Sequence, residues 1–267
     1  MAVGSRVTRQ ATQRKGAGQR KGAGRGHAYD RLREGILSLD LAPGMRIDEG
    51  ALVRDLRLSR TPVREALIRL AGEGLIELLP NRGARVADMP LTSLAEFFEA
   101  FVLMQRATHR WAASRRRHDD IEKIEAEHQS FARVARQEPE LIPAVNRAFH
   151  MAIAVASRNS FLSHAYGELL DQGLRISRLT VVYDPPGGMT RAQHFDTVIA
   201  DHQAILTAIR NEDTDQAEKL AGAHAELFRQ RVVAYLCRTN GEPIAIVPDA
   251  QLTRHRAQRS QKSRTNR

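Results

Sequence analysis

Nine residues, Ser59-Arg60-Thr61-Pro62-Val63-Arg64-Glu65-Ala66-Leu67, constrain the fold more than any other stretch of this 267-residue chain. Ser59 or Thr61 can cap a helix through its hydroxyl. Pro62 lacks a backbone N–H, so within a helix it is tolerated only in the first turn. Val63, Leu67 and Leu70 recur at helical spacing and form a stripe to be buried. Arg60 and Arg64, four apart, share the face that this stripe leaves free. The stretch opens a short amphipathic helix with two guanidiniums near its N-terminus.

The flanks supply its setting. Leu32, Ile36, Leu37 and Leu39 follow a near-helical period over 29–39. Ala42-Pro43-Gly44-Met45 is a turn. Asp48 can cap a second helix with Leu52, Val53 and Leu56 inward, and Arg57-Leu58 links it to the third. Helix, helix, short turn, helix is the helix-turn-helix layout. Downstream, Gly72 and Gly74 end the third helix. Residues 75–79 form a strand, Pro80-Asn81-Arg82-Gly83 a tight turn, and 84–86 a returning strand. That pair makes a two-stranded wing with Arg82 at its tip, suited to a minor groove or a phosphate. A helix bearing arginines suits the major groove, where a guanidinium reaches both acceptors of guanine.

The formal net charge of +10 is unevenly placed. Residues 1–26 hold seven Lys/Arg and no acid, and 251–267 hold six and no acid. Residues 27–250 carry 28 basic against 31 acidic groups. The excess therefore sits in Gly-rich or polar tails, which are expected to be disordered and to add salt-sensitive phosphate contacts. Residues 57–69 hold Arg57, Arg60, Arg64 and Arg69 against Glu65 alone, so positive charge concentrates on the opening helix. Cys237 is the single cysteine, which excludes an intrachain disulfide and a cysteine-rich metal site. No apolar run approaches the ~18 residues of a membrane span, and no signal-peptide pattern is present. A cytoplasmic, bacterial protein without membrane partners is expected.

Beyond residue 91 six helical patterns follow, at about 92–116, 119–137, 140–157, 160–182, 190–211 and 214–236. Within them Asn146 precedes His150 by one turn, so both project from one helix face. His202 and His224 stand some ten residues either side of a turn near Glu212–Thr214. An antiparallel pair of helices would set them at one level. Three imidazoles and an amide oxygen suit a divalent transition metal with open positions. Spacing alone leaves ordinary hydrogen-bonded core histidines equally open.

Two resemblances sharpen this. Residues 28–89 resemble the DNA-binding domain of GntR-type transcription regulators, through Leu41-Ala42-Pro43-Gly44, Ser59–Leu67, Leu70, Gly74-Leu75-Ile76 and Arg82-Gly83-Ala84. The resemblance implies base or phosphate contacts from Ser59, Arg60, Thr61 and Arg64. It also implies close approach of the wing at Arg82 and Gly83, and a phosphate contact from Arg54. Residues 92–237 resemble the all-helical FCD effector domain of the FadR-like branch, through Asn146-Arg147-Ala148-Phe149-His150, Asp201–Leu206 and Ala217…His224. That resemblance implies a metal (Zn, Ni or Mn) on Asn146, His150, His202 and His224, with a small carboxylate effector often completing the coordination. Two departures stand out. Asn146 replaces a common Asp, and Phe101 and Gln105 stand where many relatives carry Arg and Glu. Phe101, Gln105 and either Arg106 or Arg175 are then the effector-binding candidates, with Met104 and Trp111 as further cavity lining.

The expected architecture is mainly α: a basic tail (1–26), a winged helix-turn-helix (27–90), a six- or seven-helix bundle for effector binding and dimerisation (91–238), and a second basic tail (239–267). The expected function is a metabolite-responsive regulator, more often a repressor in this family. It would read a pseudo-palindromic double-stranded DNA operator as a homodimer. The alternative is a metal-dependent hydrolase using the three histidines, although His-Glu-x-x-His is lacking. A nucleic-acid packager driven by the tails is the third possibility.

Overall fold

The computed structural model describes residues 26–80, 83–89, 93–181 and 188–238. Arg82 and both basic tails, residue 26 apart, lie outside them. The chain divides into two units between Asp88 and Met89.

The first unit opens with α1 (residues 26–37). Then come β1 (Arg46–Ile47), α2 (Glu49–Asp55), α3 (Arg60–Gly72), β2 (Ile76–Leu79) and β3 (Gly83–Val86). Asp48 caps α2 as its position predicts, its Oδ1 accepting from the N–H groups of Gly50 and Ala51 at 2.7 and 3.1 Å. Ser59 occupies the N-cap position of α3 but makes no side-chain capping bond, and Thr61 lies inside the helix. Gly74 stops α3 at φ 69°, a left-handed conformation that costs glycine least. Leu32, Ile36, Val63, Leu67, Leu70 and Leu75 form the core, each at most 2% exposed.

The wing pairs antiparallel in the register Ile76↔Val86, Glu77↔Arg85, Leu78↔Ala84 and Leu79↔Gly83. It has a third strand that the sequence pattern did not reveal. β1 joins the other edge of β3, giving the order β1-β3-β2. Two residues are too short to show alternation. The strand forms because the N–H of Gly44 donates to Val86 O and the N–H of Val86 donates to Met45 O, both at 2.9 Å.

The second unit contains α4 (Leu94–Arg115), α5 (His118–Gln137), α6 (Ile142–Ala156), α7 (Ser160–Thr180), α8 (Arg191–Arg210) and α9 (Thr214–Arg238). α6 starts two residues later than its periodicity suggests, because Pro139–Leu141 forms a separate 3-10 turn. α4 packs along α9, and α5 along α6 and α8. One apolar cluster around Ile124, Phe149, Ile153, Ile205 and Ile209 lies against these helices. A second gathers Phe97, Phe98, Phe101 and Tyr166. The short turn after Asn211 makes α8 and α9 antiparallel neighbours, which brings their histidines together. No helix among the described residues is long and apolar enough to cross a membrane.

Candidate DNA interface and metal centre

α3 buries Val63, Ala66, Leu67 and Leu70 and turns Arg60, Thr61 and Arg64 to solvent. Its first turn carries no acidic side chain, so the positive end of the helix dipole is left for an external anion. Ile68, one turn beyond Arg64, is 54% exposed and extends this face with an apolar group suited to a thymine methyl. The sequence pattern had passed over it. Arg54 is exposed in the last turn of α2. Gly83 opens β3 at φ 81°, where a side chain would be strained.

In the second unit His150 on α6, His202 on α8 and His224 on α9 come together. All three are buried, and one ring nitrogen from each lies within 4.8 Å of the others. The Nε2 atoms of His202 and His224 are 3.3 Å apart. Nδ1 of His224 lies 3.1 Å from Oδ2 of Asp201. A proton on that Nδ1 leaves Nε2 of His224 as a bare lone pair pointing at His202. Nδ1 of His150 and Nδ1 of His202 are buried without a hydrogen-bond partner. Burial, with the neighbouring imidazoles, holds His150 and His202 well below the usual histidine range. Three buried imidazoles with a ring nitrogen of each within 4.8 Å, two of them kept neutral by burial, fit a divalent transition metal. Phe149 stacks on His202 with centroids 4.0 Å apart and holds its ring.

Beside the cluster lies a small cavity of about 80 Å³ that opens to solvent. Asn146, His150 and His224 line it, as does Phe101. Gln105 lines it too, but its amide is engaged: Nε2 donates to Ala221 O and Oε1 accepts from Tyr166 Oη, each at 3.1 Å. The other effector candidates are not brought there. Arg106 is ion-paired with Glu218 at 2.6 Å on the surface. Arg175 is fully buried, donates to Gln172 at 2.9 Å, and does not line the cavity. Met104 and Trp111 are likewise elsewhere.

Arg147, His194 and Arg231, which sequence reasoning missed, add further polar groups to the cavity. Arg147 is paired with Asp171. Arg231, 8% exposed, donates to the Thr180 carbonyl at 3.0 Å. Burial and the Arg231 charge lower His194 to about 4. His109 on α4, its ring 5.5 Å from that of His150, is lowered by burial to about 3. In sequence Asp201 adjoins His202 but points off a different helix face, which gives it no role there; from that face it reaches Nδ1 of His224. Its place immediately before His202, on a helix antiparallel to the one bearing His224, was the available signal.

Two family models match the chain: "Bacterial regulatory proteins, gntR family" over residues 25–86 and "FCD domain" over 96–227. A regulator from Streptomyces ambofaciens, described as lying in an unstable DNA locus, is 43% identical over 26% of this chain and 29% of its own length. The putative L-lactate dehydrogenase operon regulatory protein of Escherichia coli is 29% identical over 73% of this chain and 81% of its own. The solved structure of E. coli McbR/YncC shares the fold, with a TM-score of 0.66 at 19% identity over 80% of this chain and 98% of its own. An exposed arginine-bearing α3, a wing behind it and a helical histidine domain thus meet the two models in order, and the chain belongs to the GntR family of DNA-binding transcription regulators, with an FCD domain after its helix-turn-helix domain.

Proposed function

We propose that this regulator is a homodimeric repressor controlled by a small organic anion that binds beside a divalent metal. His150, His202 and His224 would hold the metal, with the Asn146 amide oxygen as a fourth ligand. The observation that carries the proposal is the convergence of three buried imidazoles within 4.8 Å, two of which, His150 and His224, line a cavity that also holds Arg147 and Arg231. Once bound, the metal supplies open coordination positions for a carboxylate. The chain does the rest. Asp201 sets the tautomer of His224, Phe149 fixes the His202 ring, and Arg231 favours an anion electrostatically. Phe131, Phe195 and Phe228 give the cavity apolar walls, so the effector has an apolar body.

Dimerisation follows from the reading unit. One winged helix covers one half-site, and a two-fold dimer reads a pseudo-palindrome. Effector binding lifts repression only if its affinity differs between DNA-bound and free protein. Elemental analysis of the purified protein and of His202→Ala tests the metal. A screen of small carboxylic acids by thermal shift, followed by gel shift on upstream DNA, tests the effector. Stoichiometric metal in the parent, none in the variant, and an acid that both stabilises the protein and releases DNA are expected. A metal-free protein indifferent to every acid would refute the proposal.

A further inference from the structure

Four non-glycine residues among those described adopt the left-handed backbone conformation: Leu39 at φ 66°, Arg57 at 53°, Arg158 at 54° and Glu212 at 60°. Such a conformation is unfavourable for a residue with a Cβ and persists only when something over-determines it. Three of the four have a compensation from their side chains. Leu39 is 1% exposed in the core of the first unit. Arg158 is ion-paired with the buried carboxylate of Asp120. Glu212 is ion-paired with Arg116 at 2.9 Å. Arg57 has none. Its side chain is exposed and makes no hydrogen bond or ion pair among the described residues. It sits just past the end of α2, where glycine is the usual occupant.

The surrounding charges are sorted in the same sense. In the first unit Arg31, Arg33, Arg69 and Arg85 are each ion-paired with a glutamate. Arg46, Arg54, Arg57, Arg60 and Arg64 form no ion pair among the described residues. Arg57 lies two residues before the α3 N-cap Ser59, so its Cα is within about 11 Å of that of Arg60. A duplex engaged by Arg60 therefore brings phosphates within reach of the Arg57 side chain.

We propose that Arg57 is a DNA phosphate contact, a sequence-independent clamp at the turn that feeds the reading helix, and that this contact offsets the strained backbone. The partner is the phosphodiester backbone of double-stranded DNA. The proposal extends the DNA-binding role of α3 to a residue outside that helix. Phosphate contacts reveal themselves through released counterions, each adding about 0.9 to the slope of log affinity against log salt.

The test uses the full chain and a mixed-sequence duplex about three helical turns long, with binding followed by fluorescence anisotropy across a salt series. Arg57→Gly relieves the backbone, so it folds and its melting temperature stays level or rises. Its affinity at low salt falls several-fold and its slope flattens by about 0.9. Arg57→Lys keeps the charge and the parental slope. Arg31→Ala, which removes a surface arginine paired with Glu34, leaves the slope unchanged. A slope and affinity for Arg57→Gly equal to those of the parent would overturn the proposal, as would Arg57→Lys falling as far as Arg57→Gly. Failure of the parent itself to bind any duplex would overturn the DNA-binding role of α3 as well, which separates the two ideas.

Discussion

The carboxylate of Asp201 and the imidazole of His224 face each other across the α8–α9 interface, with Oδ2 3.1 Å from Nδ1. The partner of a ligating histidine orients its ring and raises its basicity, and losing such a partner costs about 10–100-fold in metal affinity. For the metal proposed on the three histidines, Asp201→Asn should weaken retention by that factor while leaving the helices intact, since this side chain is 35% exposed. A chelator competition followed by elemental analysis measures it. Unchanged retention would mean that the pair serves the fold alone.

Acid should destabilise the second unit. His109 and His194 have folded values lowered to about 3 and about 4 from 6.5. The unfolded chain therefore binds more protons than the folded one between those values and 6.5. Stability is fully present above about 6.5 and is lost as the pH falls, at about 1.4 kcal/mol per pH unit for each histidine in its window. Thermal melts from pH 7.5 to 4.5 should fall steadily, and His109→Gln should flatten the fall. A flat profile in the parent would contradict the buried, neutral state of these rings.

Phe149 is fully buried, and its ring stacks on that of His202. Phe149→Ala removes an aromatic side chain from the core and is expected to cost about 3–5 kcal/mol. Phe149→Leu keeps more of the volume and costs less. If the stack also positions the imidazole, Phe149→Leu should still lower metal affinity. Urea melts with and without metal separate the two effects.

Arg60→Ala and Arg64→Ala should each weaken binding to a selected operator by about 1–3 kcal/mol and relax preference at the base pair each contacts. Both side chains are exposed and outside the core, so the fold should be retained. Selection of binding sequences from a random pool, repeated for each variant, provides the readout. An unaltered preference in both would remove α3 from the recognition surface.

Arg231→Ala should abolish the thermal shift given by an organic acid without releasing the metal, because Arg231 lines the cavity but is not among the converging imidazoles. Arg106→Ala should leave the shift unchanged, its guanidinium being paired with Glu218 on the surface.

Much of this was legible from the chain alone, because the signals involved are local. The Asp48 cap, the Pro62 position, the Val63–Leu67–Leu70 stripe and the turn at Gly74 each depend on a few neighbouring residues and their periods. So does the level at which His202 and His224 meet, which follows from a short turn and equal rise along two antiparallel helices. The tertiary structure decided what depends on how each helix is rotated against distant partners. It sent Arg106 outward to Glu218 while Arg231, from α9, reached the cavity. It set Asp201 against His224, packed His109 near His150, and recruited Arg46 and Ile47 into a strand through hydrogen bonds to Val86 and its neighbours. A helical period says which residues share a face. Which neighbour that face meets is set by side-chain interlocking between segments far apart in the chain, and no local pattern encodes it.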